Sequence, residues 1–228
     1  MCYNSSISFS FGFIGIITSI YIILYEPKLR SMYIPVILLF YTSMEILQGF
    51  QYNYINQCNN KINILLTELA YILVILQPLM WNIFFYINTT KCEQQIFMVG
   101  IVFALVWMVI NISARISYTS QNSQLKRDSV FSSSSSCTKK NRTHLFWTWP
   151  SAHFGDLTAN YLLYLLIFFI PALVSSSFRM VSIILAIFAI IGAFMAYIAD
   201  EYYIFTSVWC YISVPMIIMM TIYMYNNL

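Results

Sequence analysis

Charge is what this sequence has least of: of 228 residues only 11 are basic and 8 acidic, or 8%, against about 25% in a soluble chain. With 5 Cys, 6 Gly and 2 His, it also lacks the material for a disulfide-dense scaffold, a collagen or a histidine-built metal centre. A net charge of +3 gives no footprint for nucleic acid. What it has instead is 60% hydrophobic residues and a mean hydropathy of +0.74, the composition of a multi-pass membrane protein. The 18 Tyr and 18 Phe read as the product of AT-rich coding rather than as an aromatic-lined pocket.

A bilayer core takes roughly 20 apolar residues as a helix. Seven windows meet that demand: 6–25, 32–51, 62–87, 96–114, 157–177, 181–199 and 204–225. The runs are continuous and too long for barrel strands. The expected fold is therefore an all-α integral membrane protein, a seven-transmembrane-helix bundle forming one domain over residues 1–228. The first window has no Lys or Arg before Lys28 and no small-residue cleavage site, so it reads as a retained helix and not a signal peptide. Residues 115–150, with the run Ser132–Ser136 and the basic Lys126, Arg127, Lys139, Lys140 and Arg142, read as a flexible Ser-rich loop.

Seven spans put the termini on opposite sides, here A (N-terminal) and B. Lys28, Arg30, Lys91 and Arg179 fall on B, and Lys61, Arg115 and the loop cations on A. Weighting the short connectors and the first helix, the positive-inside rule places the N-terminus outside the cytoplasm. Glycosylation-type triplets occur at Asn4 and Asn141 on A and at Asn88 on B, so they do not decide the orientation. Cys2, Cys58, Cys137 and Cys210 all fall on A, where a disulfide is open to them, but spacing selects no pairing.

Charged side chains inside a span are costly and mark functional sites by default. Glu45 and Glu68 both lie about 9 Å below the A surface at 1.5 Å per residue. Tyr41, Glu45, Gln48 and Tyr52 share one helical face; Cys210 lies at similar depth, Trp209 reads as an interfacial anchor, and Asp156 and Asn160 open the fifth window after His153. The expected site gathers Glu45, Gln48, Glu68, Asn160, Trp209 and Cys210 in the A-side leaflet to bind or conduct a cation, proton or small polar ligand. Two alternatives stand beside it. One is a Cys-dependent enzyme of acyl transfer or thiol redox, with Cys2 as nucleophile and His153 as base. The other is a structural membrane component whose polar groups are only helix glue.

Several stretches carry a resemblance. The opening Met1-Cys2-Tyr3-Asn4-Ser5-Ser6, the segment from Ile34-Pro35 to Glu45-Ile46-Leu47-Gln48, that from Tyr161-Leu162-Leu163 to Pro171-Ala172-Leu173-Val174-Ser175-Ser176, and Phe205-Thr206-Ser207-Val208-Trp209-Cys210 are similar to a family of uncharacterised multi-pass membrane proteins. Its members, bacterial and viral, begin Met-Cys-aromatic-Ser; Asn4 stands here where that pattern has Ser. The resemblance implies the membrane architecture, marks Cys2, Glu45, Gln48, Trp209 and Cys210, and brings no activity. Other seven-helix classes do not fit. The last window has no Lys for a retinal Schiff base, the receptor motifs Asp-Arg-Tyr and Asn-Pro-x-x-Tyr are missing, and both His lie outside the spans, where no intramembrane zinc site can use them. No metal is expected, and no other cofactor is indicated. The expected partners are the lipid bilayer, a small polar ligand or cation, and further copies of the chain, with no nucleic acid.

Overall fold

Each of the seven apolar windows contains an α-helix in a computed structural model that describes residues 4–121, 136–141, 144–149, 161–198 and 205–227. In chain order the helices are α1 (Ser5–Tyr25), the short α2 (Pro27–Ser31) between the first two windows, α3 (Ile34–Gln51), α4 (Lys61–Asn88), α5 (Gln94–Gln121), α6 (Tyr161–Val174), α7 (Arg179–Ile198) and α8 (Phe205–Asn227). Two strands, β1 (Cys137–Asn141) and β2 (His144–Thr148), pair as a hairpin between α5 and α6.

Among the described residues three helices are long and apolar enough to cross a membrane: Ser5–Tyr25, Lys61–Asn88 and Gln94–Arg115. The apolar stretches described within α6, α7 and α8 are Leu163–Val174, Arg179–Gly192 and Met216–Asn226, and α3 carries Thr, Ser, Glu and Gln within its 18 residues. Within the stretch expected as a loop, α5 runs on through Arg115 to Gln121, and β1 and β2 take Cys137–Asn141 and His144–Thr148. The helical faces are inverted relative to a soluble protein. Phe13, Ile17, Val102, Phe103, Ile190 and Phe194 are exposed, while Ser8, Ser19, Asn63, Gln77, Asn111 and Ser213 are buried.

The chain divides into two compact units. The first comprises Met1–Asn53, Lys140–Phe146 and Phe178–Leu228. In it α3 packs against α1 and α8, and α7 against α8. The buried face of α1 is Ser8, Gly12, Gly15, Ser19 and Ile22; its first four residues form a small-residue stripe at i, i+4, i+7 and i+11 that lets two backbones approach closely. A Cβ on Gly12 would stand 2.6 Å from Ile46 Cγ1, and one on Gly15 would overlap Thr42 Oγ1. Ser5 Oγ donates to the Gly49 carbonyl at 3.0 Å, closing the other end of the antiparallel pair. At the turn, the short α2 caps two helices: Lys28 Nζ donates to Tyr225 O at 2.7 Å and Arg30 Nη1 to Ile23 O at 3.0 Å. Both cations thus sit at helix C-termini, where the dipole favours them.

The second unit comprises Tyr54–Lys139 and Trp147–Ser177. Here α4, α5 and α6 pack pairwise. Pro78 and Pro171 interrupt α4 and α6, and a proline leaves the carbonyl four residues earlier without its donor. Asn82 Nδ2 meets that need on α6, donating to Ile167 O at 3.0 Å as well as to Pro78 O at 2.8 Å. Gly100 on α5 leaves room for the Asn82 side chain at this crossing. Next along α4, the Tyr164 hydroxyl donates to Gln77 Oε1. At the turn into α5, Glu93 accepts from Ser175 Oγ at 2.6 Å and from Ser176 N at 2.8 Å, which ties the end of α6 to that turn.

Candidate functional site

Among the described residues of the first unit, Glu45 is a buried carboxylate. Tyr33, at φ 59°, and Pro35 in the first turn start α3, and Tyr41, Thr42, Glu45 and Gln48 follow on its buried side, each at most 1% exposed. Thr42 lies one turn before Glu45 and faces Gly15 of α1; Gln48 lies one turn after it. Both Glu45 carboxylate oxygens and Thr42 Oγ1 are buried and accept or donate no hydrogen bond among the described residues. Such burial is costly, because a carboxylate removed from water needs a partner for its charge and its lone pairs.

Glu68, in the second unit, has a different environment. Its carboxylate forms a two-pronged ion pair with Arg115 of α5 and also accepts from Ser136 Oγ at 2.5 Å. Arg115 donates to Ser136 Oγ at 2.6 Å and stands 5.8 Å from the Tyr71 ring. The Tyr71 hydroxyl in turn reaches Asn111 Oδ1 at 3.1 Å, and its ring packs on Trp149.

The hairpin is fastened above this pair. Cys58 and Cys137 form a disulfide. Asn63 meets the β1 backbone as another strand would, donating from Nδ2 to Thr138 O and accepting from Thr138 N, both at 3.0 Å. Thr67 and Thr138 hydroxyls lie 2.8 Å apart, and Trp149 Nε1 donates to Thr67 O at 2.8 Å.

Of the expected site residues, Glu45 and Gln48 share a buried stripe of α3 in the first unit, while Glu68 belongs to the second and is spent on Arg115. Trp209 and Cys210 fall within α8, with side chains outside the described residues, and Cys2, His153 and Asn160 also lie outside them. Among the described residues no group of three or more His, Cys, Asp or Glu is arranged to hold a metal ion.

At the far end of the second unit Glu93 accepts from three serines. The hydrogen bonds from Ser175 and Ser176, aided by Ser177, hold its carboxyl down to about 2 against an ordinary 4.5. Sequence reasoning missed this set, although Ser175, Ser176 and Ser177 stand together directly after an apolar run.

Fold and site thus define a mostly helical protein with three helices of membrane-crossing length, a disulfide-tied hairpin and one buried carboxylate without a hydrogen-bond partner among the described residues. The chain belongs to a family of unknown function (DUF5765), which matches residues 6–227. It is similar to "Uncharacterized protein R287" of Acanthamoeba polyphaga mimivirus, 28% identical over 180 residues that make up 73% of this chain and 72% of that protein. No solved structure matches it. An uncharacterised family with viral members is what the sequence resemblance implied; the matched region starts after the opening Met-Cys segment.

Proposed function

We propose that the chain is a multi-pass membrane protein, a bundle of seven spans with its N-terminus outside the cytoplasm, that binds a proton, a cation or a small cationic solute at Glu45. The observation that carries this reading is the Glu45 carboxylate, 1% exposed and without a hydrogen-bond partner among the described residues. Intramembrane carboxylates left open in this way are ion or ligand sites by default. Thr42 and Gln48 lie one turn to either side of it on the same buried face of α3.

The inverted distribution of apolar and polar faces supports the bilayer. The Cys58–Cys137 disulfide supports an extracytoplasmic A side, since disulfides persist in oxidising compartments. Cys92, the exposed free cysteine among the described residues, lies in the α4–α5 turn on side B. Glu68 takes no part in the proposed site, because its charge is already met by Arg115.

The test is thermal unfolding of purified wild type and Glu45→Gln across pH, with Na⁺, K⁺, Mg²⁺ or a small organic cation added. A bound ion stabilises by mass action, so wild type gains a cation- or pH-linked rise in Tm that Glu45→Gln lacks. Identical responses in both proteins overturn the reading.

A further inference from the structure

A groove of about 440 Å³ runs down the second unit between α5 and α6. Gly100 and Pro171 lie buried in its lining, and Val99, Phe103, Leu166 and Ile170 stand exposed along it. The groove is deep at Gly100 because no side chain fits there: a Cβ would stand 2.9 Å from Pro171 Cγ and overlap Asn82 Oδ1. None of the lining residues carries a polar side chain, so the groove suits hydrocarbon, and its volume is that of an ordinary ligand site. Along α5 the lining runs from Ile96 to Phe103, about 10 Å, and along α6 from Leu163 to Val174, about 16 Å. Half of a bilayer's hydrocarbon core is about 15 Å, so the groove is as long as the stretch of lipid chain in one leaflet.

One end of this groove is charged. Ile96 N donates to Glu93 O at 3.0 Å, and Ser175, the residue after Val174, donates from Oγ to the Glu93 carboxylate at 2.6 Å. Glu93 thus stands at the mouth, in the α4–α5 turn on side B. Its partners Thr89, Ser175, Ser176 and Ser177 are all neutral. They hold the carboxylate in place and ionised without cancelling its charge. No Lys, Arg or His among the described residues pairs with it. Lys91, two residues earlier in the same turn, is exposed and also in no ion pair among them.

An apolar slot one leaflet long that opens on an unpaired anion and an unpaired cation is complementary to a zwitterionic lipid. Hydrocarbon gains little by leaving the bilayer for an apolar groove, so the headgroup decides which lipid is held. A primary ammonium fits Glu93 because its N–H groups donate to carboxylate oxygens. A quaternary ammonium has no such donor and is held by aromatic faces, and none of the side chains bonded to Glu93 is aromatic.

We infer that the α5–α6 groove holds one acyl chain of an aminophospholipid of the phosphatidylethanolamine type, with its ammonium on Glu93 and its phosphate on Lys91. This rests on the proposed placement of the chain in a bilayer and is independent of any role for Glu45.

The full chain is reconstituted in phosphatidylcholine vesicles holding a trace of phosphatidylethanolamine, phosphatidylcholine or phosphatidylglycerol with a diazirine in one acyl chain. After irradiation, adducts are mapped by mass spectrometry in wild type, Glu93→Gln and Ile170→Trp. Carbonate extraction reports separately whether each protein is integral to the membrane. The expected result is adducts concentrated on residues 96–103 and 163–174. Phosphatidylethanolamine is favoured over both other headgroups by about fivefold, the upper end for an exposed ion pair. Glu93→Gln removes that preference, and Ile170→Trp, which fills the groove, removes the adducts with every headgroup; the headgroup comparison in wild type needs neither variant. Equal labelling by the three headgroups overturns the proposal, as do adducts spread evenly over α1, α5 and α7, and carbonate-resistant protein leaves the membrane reading standing in both cases. No adducts in the groove overturn it as well, and a dimer that Ile170→Trp dissociates then gives this face to a second copy of the chain. Protein stripped from the vesicles by carbonate overturns the membrane placement, and the lipid site with it.

Discussion

Replacing Gly15 by Ala sets two effects of opposite sign against each other. In a helix interior Ala is favoured over Gly by about 1 kcal/mol, so an α1 packed loosely on α3 gains stability. If the seam is as close as the structure has it, the new Cβ overlaps Thr42 Oγ1 and stands 3.2 Å from Thr42 Cβ and 3.5 Å from its Cγ2. Overpacking of this kind costs about 1–3 kcal/mol, and the expected net effect is a loss of up to about 2 kcal/mol. Thr42 supplies the matched second change. Its hydroxyl is buried with no hydrogen-bond partner among the described residues, so Thr42→Ala removes an uncompensated polar atom at a cost below about 1 kcal/mol. In the double variant the 3.2 Å contact gives by a few tenths of an ångström, and stability returns to near that of Thr42→Ala alone. The double-mutant cycle should then show a coupling of about 1–2 kcal/mol, of the size found for residues in direct contact. Thermal unfolding of the four proteins in one detergent measures it. Additive losses, or a Gly15→Ala protein more stable than wild type, refute the close packing and the placement of α3 that exposes the Glu45 stripe to the interior.

The Glu93 carboxyl is held below its ordinary value, so its contribution is full above about 4.5 and is lost as pH falls towards about 2; the Tm difference between wild type and Glu93→Gln should be largest at neutral pH and close across that window. The Cys58–Cys137 disulfide links residues 79 apart, for which chain entropy sets a ceiling of about 4.5 kcal/mol. Because α4 and α5 lie inside that loop and stay helical in a bilayer, Cys58→Ser/Cys137→Ser should cost only about 2–3 kcal/mol in an unfolding titration. Asn82→Leu removes the donor that serves the carbonyl freed by Pro171 and should lower stability by about 1–2 kcal/mol, again read as Tm; no change means that Ile167 O finds another donor.

Much of this architecture is arithmetic on residue numbers. Asn82 and Gly100 lie nine residues either side of Lys91, and Tyr71 and Asn111 lie twenty either side, the register of an antiparallel helical hairpin turning at Lys91. Glu68, 23 residues before Lys91, and Arg115, 24 after it, fall within one residue of the same level. Ending the fourth window at Ala114 set Arg115 in a loop, and so Glu68 looked like an open ligand. The hairpin was hidden by its neighbour: after the serine run, Leu145, Trp147 and Trp149 are buried in strict alternation, a period-2 signal that flanking low complexity masked. The small-residue stripe of α1 is equally plain in the sequence, at helical spacing in Ser8, Gly12, Gly15 and Ser19. The disulfide pairing was not legible, because it depends on Asn63 and Thr67 of α4 holding β1 in place, contacts separated by more than 70 residues.

The polar residues along α4 and Glu45 of α3 differ in how burial treats them, and the contrast bears on which residues to pursue. In the second unit the polar groups bond to one another along α4: Asn63 and Thr67 to Thr138, Glu68 to Arg115, Tyr71 to Asn111, Gln77 to Tyr164, and Asn82 to Ile167. A group so engaged contributes to cohesion between helices and must break a bond to take up a ligand, so it is a poor first choice for a binding role. Glu45 has no such bond to break among the described residues. The loss of water is suffered without return unless something positive arrives, whereas an isosteric amide at that position would not attract a cation at all. Selection for stability alone would favour Gln or Leu at position 45, in the manner that buried ion pairs are bettered by apolar residues of equal volume. A Glu45→Leu protein more stable than wild type yet unresponsive to cation or pH is the outcome this contrast predicts.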